Sequence, residues 1–380
     1  MDSTGAVIFL GNRPRPEHHG AMRPALLLLA ACLTAIPVPV IADPGSFDCA
    51  RIPEAPVEIN DLGEAGPRGS HDLAFDSFGY LTGYDGFSIV RGDRSGDRRV
   101  LASMNFGGEG PEGMEYLPDG RLVSAAPMLG IFTVSPEGDV VLLAPDLRDV
   151  FGVLLGPDGL LYAGDNHCLY RVDPGTAEVE RLLCSEDHDG PEPFTPRIVN
   201  FNLDFSEMFV GTHENRLFRV PIDARLDPVG APVFWLEVAG STSGVDGLEV
   251  DVCGNLYVPT YPDGLYRITP EGLVRLYHQW AGVLELGHGL RFGTGRHGWR
   301  DDALYLPRFY GGNTIVEVVT GVPGRRMPRR SLLSDDDAHA LLCRATPGRR
   351  GKEPRYWLPV LALLLLTLRR RSSNPTGDLS

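Results

Sequence analysis

Lysine is almost missing from this chain. Lys352 is the sole lysine among 380 residues, so P-loop, Schiff-base and lysine-base chemistries have no residue to act through in the body of the protein. Basic charge is scarce too: 35 Lys and Arg stand against 50 Asp and Glu, for a net charge of -15. That balance excludes a phosphate-backbone binder, which needs clustered cations. No HExxH, no G-x-S-x-G and no GxGxxG in a strand–helix context occurs, so zincin, α/β-hydrolase and Rossmann chemistries lack their signatures. What is abundant is turn chemistry. The 46 Gly and 32 Pro show no collagen-like period, and with 43 % hydrophobic residues they point to an all-β fold with many tight turns and a packed core.

The two ends read as addresses. From Met22, Arg23 precedes an apolar run from Ala25 to Val40, and Val40-Ile41-Ala42 forms a small-residue cleavage site, the pattern of a secretory signal peptide over residues 1–42. Leu29-Ala30-Ala31-Cys32 also fits a lipobox. At the other end, Tyr356 to Leu368 is a 13-residue apolar segment followed by Arg369, Arg370 and Arg371. It is shorter than the roughly 20 residues of a full span, but flanking arginines can snorkel, and the positive-inside rule places that end in the cytoplasm. The arrangement resembles the C-terminal sorting tags of some Gram-negative surface proteins, which implies export, at least transient membrane tethering and sorting machinery as a partner. Residues 43–67 are a lead-in, 321–355 a polar linker and 372–380 a tail. The body, 43–343, carries a net charge of -22.

Between these ends the chain repeats. Six segments share a template of a polar residue, an apolar alternation, a turn and a strand ending in residues such as Leu-Tyr-Val; they begin at His71, Glu112, Phe151, Arg197, Asp246 and His288. Their turns fall at Gly79, Gly120, Gly159, Ser206, Gly254 and Asp302, steps of 41, 39, 47, 48 and 48 residues. A second hairpin follows each template. Four short strands per unit of about 40 to 50 residues predict a six-bladed β-propeller over 68–320. Leu248, Val250, Leu256 and Val258 are expected to face the neighbouring blades.

The stretch VDGLEVDVCGNLYVPTYPDGLYRITPEG resembles the repeat of the gluconolactonase–regucalcin superfamily, and GPEGMEYLPDGRLVSAAPMLGIFTVSPEGDV is similar to strictosidine synthase-like propellers. The resemblance implies a Ca²⁺-type divalent cation held by a first-blade Glu, later Asn residues and a fifth-blade Asp, polarising a lactone carbonyl. By position it assigns Asp246 and Glu112 as metal ligands, with Asp246 as base and His71 or His288 assisting proton transfer. It also meets departures. His71 or Asp72 occupies the first-blade position, Phe151 the third, and Arg197 stands where an Asn is expected; an arginine there favours a carboxylate or phosphate. The expectation is therefore a small polar or anionic ligand bound at a mouth formed by Glu112, Arg197, Asp246 and His288, with metal-dependent lactone hydrolysis and protein scaffolding as alternatives. Asp165, Asn166, His167, His213, Glu214, Tyr261 and Asp263 follow second strands and are expected in turns on the side away from that mouth.

Five cysteines remain after Cys32, and an oxidising compartment predicts pairing. Cys168 and Cys184 flank one hairpin nearly symmetrically about Pro174-Gly175 and are expected to bridge it. Cys49 and Cys343 lie at the two ends of the body and are expected to staple the ring, leaving Cys253 over.

Overall fold

The computed structural model describes residues 47–63, 71–104, 106, 110–238, 244–260, 264–280, 289–308 and 314–327. The signal segment, the apolar C-terminal segment, His288 and Cys343 lie outside the described residues. Among the described residues no helix is long and apolar enough to cross a membrane.

The described residues form a six-bladed β-propeller. A first strand, β1 (Glu58–Asp61), precedes the blades. Blade 1 comprises β2 (Ala74–Phe75), β3 (Leu81–Tyr84), β4 (Ser88–Gly92) and β5 (Arg98–Ser103). Blade 2 comprises β6 (Gly113–Tyr116), β7 (Leu122–Ala126), β8 (Gly130–Val134) and β9 (Val140–Ala144). Blade 3 comprises β10 (Gly152–Leu155), β11 (Leu161–Gly164), β12 (Cys168–Val172) and β13 (Val179–Cys184). Blade 4 comprises β14 (Pro196–Phe201), β15 (Glu207–Thr212), β16 (Arg216–Pro221) and β17 (Val233–Glu237). Blade 5 comprises β18 (Glu249–Val250), β19 (Leu256–Thr260), β20 (Gly264–Ile268) and β21 (Val274–Gln279). Blade 6 comprises β22 (Arg291–Phe292), β23 (Ala303–Arg308) and β24 (Thr314–Val319), completed at its outer edge by β1.

That last sheet, ordered β1-β24-β23-β22, closes the ring. The lead-in thus supplies the outermost strand of the last blade, with Glu58 opposite Val319 and Asp61 opposite Val316. On the inner side the Gly289 amide donates to the His71 carbonyl at 2.6 Å, joining blade 6 to blade 1. Gly289 must be glycine. A Cβ there would lie 2.0 Å from an Asp72 carboxylate oxygen.

Local chemistry explains the template. Asp76 ends the inner strand of blade 1, and its Oδ1 accepts from the amides of Phe78, Gly79 and Tyr80, while Gly79 takes φ +95. Asp251 does the same in blade 5, accepting from the amides of Cys253 and Asn255 and from the Asn255 side chain at 2.7 Å. In each of blades 1 to 5 a register shift follows the second or first residue pair of the third and fourth strands, at Ile89/Val90, Ile131/Phe132, Leu169/Tyr170, Leu217/Phe218 and Leu265/Tyr266. The repeated bulge adds local twist, which each blade needs to pack against the next. Leu248, Val250, Leu256 and Val258 are buried together with Phe209 and Leu217 of blade 4, as their alternation predicts.

Cys168 and Cys184 are bonded, as expected, between the edges of β12 and β13. The staple of the lead-in is different from expectation: Cys49 bonds Cys253, with Cα atoms 5.6 Å apart. The reason is the path of the lead-in. Before becoming β1 it crosses blade 5, where Arg267 donates to the Pro53 carbonyl and Arg275 pairs with Glu54 at 3.4 Å. That path brings Cys49 to the β18–β19 turn holding Cys253.

The bond encloses a sequence separation of 204 residues, against 16 for the hairpin bridge. In the chain-entropy view these loops correspond to about 5 and about 3 kcal/mol. Cys253→Ser is therefore expected to lower the denaturant midpoint more than the double variant Cys168→Ser/Cys184→Ser. Equal or reversed losses would show that the lead-in is held mainly by β1.

Candidate functional site

Each inner strand starts at the mouth of the ring and runs away from it. The residues that open the templates therefore gather at one end of the channel. His71 is buried and faces Glu112 of the next blade, Nε2 to Oε1 3.9 Å. Arg197 and Asp246, side chains 8 % and 9 % exposed, form an ion pair with Nε to Oδ1 2.8 Å. The Arg197 guanidinium also lies over the Phe151 ring, 4.0 Å from its centroid. The template residues thus meet in two groups: His71 with Glu112, and Phe151, Arg197 and Asp246 across blades 3 to 5. His288 lies outside the described residues.

His213 joins the second group, contrary to expectation. Its Nδ1 is 3.3 Å from Arg197 Nη1. Arginine can only donate, so Nδ1 is the acceptor in this contact. The end of a second strand returns to the same end of the blade at which the first began, since Pro196 of β14 pairs with Thr212 of β15. The turns holding Asn166, His213 and Glu214 therefore sit on the mouth side: the Asn166 amide donates to the Pro196 carbonyl at 2.9 Å, and Thr195 donates to Glu214. Tyr261 and Asp263 lie outside the described residues.

Three residues further along each template lies a second ring that the sequence reading missed: Ala74, Glu115, Leu154, Asn200, Glu249 and Arg291. Here the buried Arg291 guanidinium donates to the Leu73 carbonyl at 2.9 Å, the Met114 carbonyl at 2.8 Å, Asp72 at 3.1 Å and Glu249 at 3.1 Å. Asp72 also accepts from the Met114 amide at 2.9 Å. The chain beyond blade 6 adds one more cation. Residues 321–327 run back under blade 5, where the Arg325 amide bonds the Val250 carbonyl and its guanidinium bonds Asn200 at 2.6 Å and the Asn202 carbonyl at 2.7 Å. The polar stretch assigned to a linker from 321 thus begins as a strap on the propeller.

Burial dominates the titration of this inner ring. It pushes Asp72 up to about 6 despite Arg291 and the Met114 amide, and Glu249 up to about 7 despite Arg291, with Glu115 adding repulsion to both. Arg325 is drawn down to about 10 by burial, opposed by Glu249. Arg291 stays firmly charged: burial opposes its charge, but Asp72, Glu115 and Glu249 outweigh it.

The donor set tests whether a Ca²⁺-type ion fits. Asp246 is already neutralised by Arg197, and Glu112 faces an imidazole. Among the described residues, the one group of three His, Cys, Asp or Glu ligand atoms within 4.8 Å of one another is Cys168, Cys184 and Glu186, whose sulfurs are spent in a disulfide. A hard cation needs six or more oxygens, and these residues do not gather them. Among the described residues, Glu112 and Asp246 are not gathered with further carboxylates into such a set.

No protein-family model and no curated protein matches the sequence. Solved structures do match it. Regucalcin, a calcium-binding protein from Agrobacterium tumefaciens, is 19 % identical, with 73 % of this chain and 99 % of that one covered and a TM-score of 0.57. A gluconolactonase from Xanthomonas campestris is 16 % identical, covering 70 % and 89 %, with a TM-score of 0.53. An auxiliary nutrient binding protein from Bacteroides ovatus is 11 % identical, covering 69 % and 70 %, with a TM-score of 0.52. The fold is that of the gluconolactonase and regucalcin propellers. At these identities the likeness of this gluconolactonase-like propeller to them is one of fold.

A carboxyl group whose pKa is raised in the folded state binds its proton there more readily than in the unfolded chain. Its ionisation then opposes folding as pH rises from the unfolded value to the folded one. For Glu249 that window runs from about 4.5 to about 7. Glu249→Gln removes the effect, so its stability relative to wild type is expected to improve by on the order of 1–3 kcal/mol between pH 4.5 and pH 7.5. Urea midpoints at the two pH values check this; a constant difference would place Glu249 in water.

Proposed function

We propose that this gluconolactonase-like propeller binds a small polar ligand carrying a carboxylate or similar anionic group at the mouth formed by Glu112, Phe151, Arg197 and Asp246. The observation that carries the reading is the buried Arg197–Asp246 pair at 2.8 Å, backed by Phe151 and His213. A guanidinium at this point disfavours a free cation and favours an anion, while Asp246 and Glu112 can accept from ligand hydroxyls. The nutrient binding protein of the same fold supports binding without turnover.

A second reading is lactone hydrolysis, favoured by the fold shared with a gluconolactonase. In it Asp246 would act as base, with His71 or His288 assisting proton transfer. Export, the third element of the reading, is supported by two disulfides, which persist in oxidising compartments. The apolar segment 356–368 and its arginines would supply the tether.

The test is the thermal midpoint of the full chain with gluconate, an anion bearing hydroxyls, and separately with Ca²⁺. At 100 times its dissociation constant a ligand adds about 2.7 kcal/mol, or about 5 °C for a domain of this size. Gluconate is expected to give that shift in wild type and lose it in Arg197→Gln. A shift with Ca²⁺ that Asp246→Ala abolishes would instead favour a metal-dependent hydrolase and overturn the anion reading.

A further inference from the structure

The repeat places one residue of each third strand at the same point on the seam with the following blade: Arg91, Thr133, Arg171, Arg219, Arg267 and Glu317, each paired with the second or third residue of the preceding strand. Most of these latch the seam. Arg171 donates to the Arg225 carbonyl at 3.3 Å and pairs with Asp227 at 2.7 Å in blade 4. Arg219 donates to the Pro270 carbonyl of blade 5 at 2.6 Å, and Arg267 to the Pro53 carbonyl of the lead-in. Glu317 uses the opposite polarity, taking Arg94 of blade 1 through two hydrogen bonds of 2.9 and 2.7 Å. Where blade 2 has Thr133, Arg121 substitutes by reaching the Pro174 carbonyl of blade 3 at 3.4 Å.

The seam between blades 1 and 2 is the exception among the described residues. Arg91 folds back onto Asp76 of its own blade, with its guanidinium 4.0 Å from the Tyr80 ring centroid. It does not reach the Ser135–Pro136 loop, the counterpart of the loops latched elsewhere. The blades still touch inside, where Thr82 and the Tyr116 hydroxyl are 2.8 Å apart, and outside, where Gly138 packs on the Leu101 carbonyl. Between these contacts lies a groove of about 250 Å³ whose walls include Arg91, Arg99, Phe78, Pro118, Ser135 and Pro136.

Its electrostatics are uneven. Arg99 stands directly opposite Arg91 across β4 and β5, an arrangement of like charges that is unfavourable without a counter-charge. Asp76 serves Arg91, and Asp119, which also lines the groove, serves Arg121. Arg99 has no hydrogen bond or ion pair among the described residues. Phe78, 67 % exposed, leaves an aromatic face beside it.

We propose that this unlatched seam is a second ligand site, separate from the mouth, for a small ring-bearing organic anion. The anionic group would pair with Arg99, and the ring would lie against Phe78 and the two prolines. The groove is at the turn end of the inner strands, beside Asp76 and Gly120, whereas the mouth is at their start, so the two sites face opposite ends of the channel.

Benzoate is the probe, with benzyl alcohol as its neutral analogue, titrated calorimetrically into the full chain. Wild type is expected to bind benzoate at least tenfold more tightly than benzyl alcohol. Arg99→Gln, a change at an exposed side chain, is expected to lose about tenfold of that affinity, and Ser135→Trp, which fills the groove, to abolish it. Arg197→Gln at the mouth should leave it unchanged. The proposal is overturned if wild type does not bind benzoate, if benzyl alcohol binds as well, or if Arg197→Gln rather than Arg99→Gln removes binding; the last outcome would assign the anion to the mouth.

Discussion

A single buried guanidinium sets the spacing of the ring. Arg291 belongs to blade 6, yet its hydrogen bonds end on the carbonyls of Leu73 and Met114 and on the carboxylates of Asp72 and Glu249, in blades 1, 2 and 5. Burying one arginine costs several kcal/mol unless every donor is used and the charge is matched. Here four of the five N–H donors find acceptors, drawn from three other blades, and two carboxylates match the charge. The arrangement is all-or-none in character, because moving any one inner strand would strand either the guanidinium or Asp72. The raised pKa values of Asp72 and Glu249 are the other side of that bargain: three acids crowd round one arginine, with Arg325 brought in by the C-terminal strap.

Closure at the rim follows a different principle. The inner ring is held by charge, whereas the outer edge of blade 6 is held by backbone pairing with β1 and by the Cys49–Cys253 bond. Both rim devices belong to the lead-in, so residues 49–61 decide whether the last blade has a complete sheet. The two ends of the described chain meet on blade 5: Cys49 bonds Cys253, and the neighbouring Val252 amide donates to the Pro323 carbonyl of the strap.

Architecture was legible in the sequence because a propeller writes its repeat into turn residues. The Asp-x-x-Gly turns at Gly79 and Gly254 and the alternation at Leu248 and Val250 translated directly into blades. Of the template-opening residues, Arg197 meets Asp246 in an ion pair and His71 faces Glu112. Three things needed coordinates. Strand order alone puts His213 at the far end, because it ignores the reversal of direction that every hairpin imposes. Position at the two ends of the body pairs Cys49 with Cys343, whereas the actual bond to Cys253 depends on the path of the lead-in across blade 5. The inner ring escaped notice although Glu115, Glu249 and Arg291 share one repeat position, a signal visible once the six templates are aligned residue by residue.

The same alignment shows why irregularity is informative in a repeat protein. A seam position occupied by Arg or Glu in five blades has one task, to tie each blade to the next, and Thr133 shows that the task can be handed to a neighbour. At Arg91 it is neither performed nor handed over. The side chain is present, but Asp76 competes for it with a charged acceptor, and a carboxylate outbids the neutral Pro136 carbonyl for a guanidinium. The cost of the missing latch is borne by contacts on either side of the groove, at Tyr116 within and Gly138 without. Repetition thus makes the blade 1–blade 2 seam distinct through one acidic residue, and leaves Arg99 as the unmatched charge beside it.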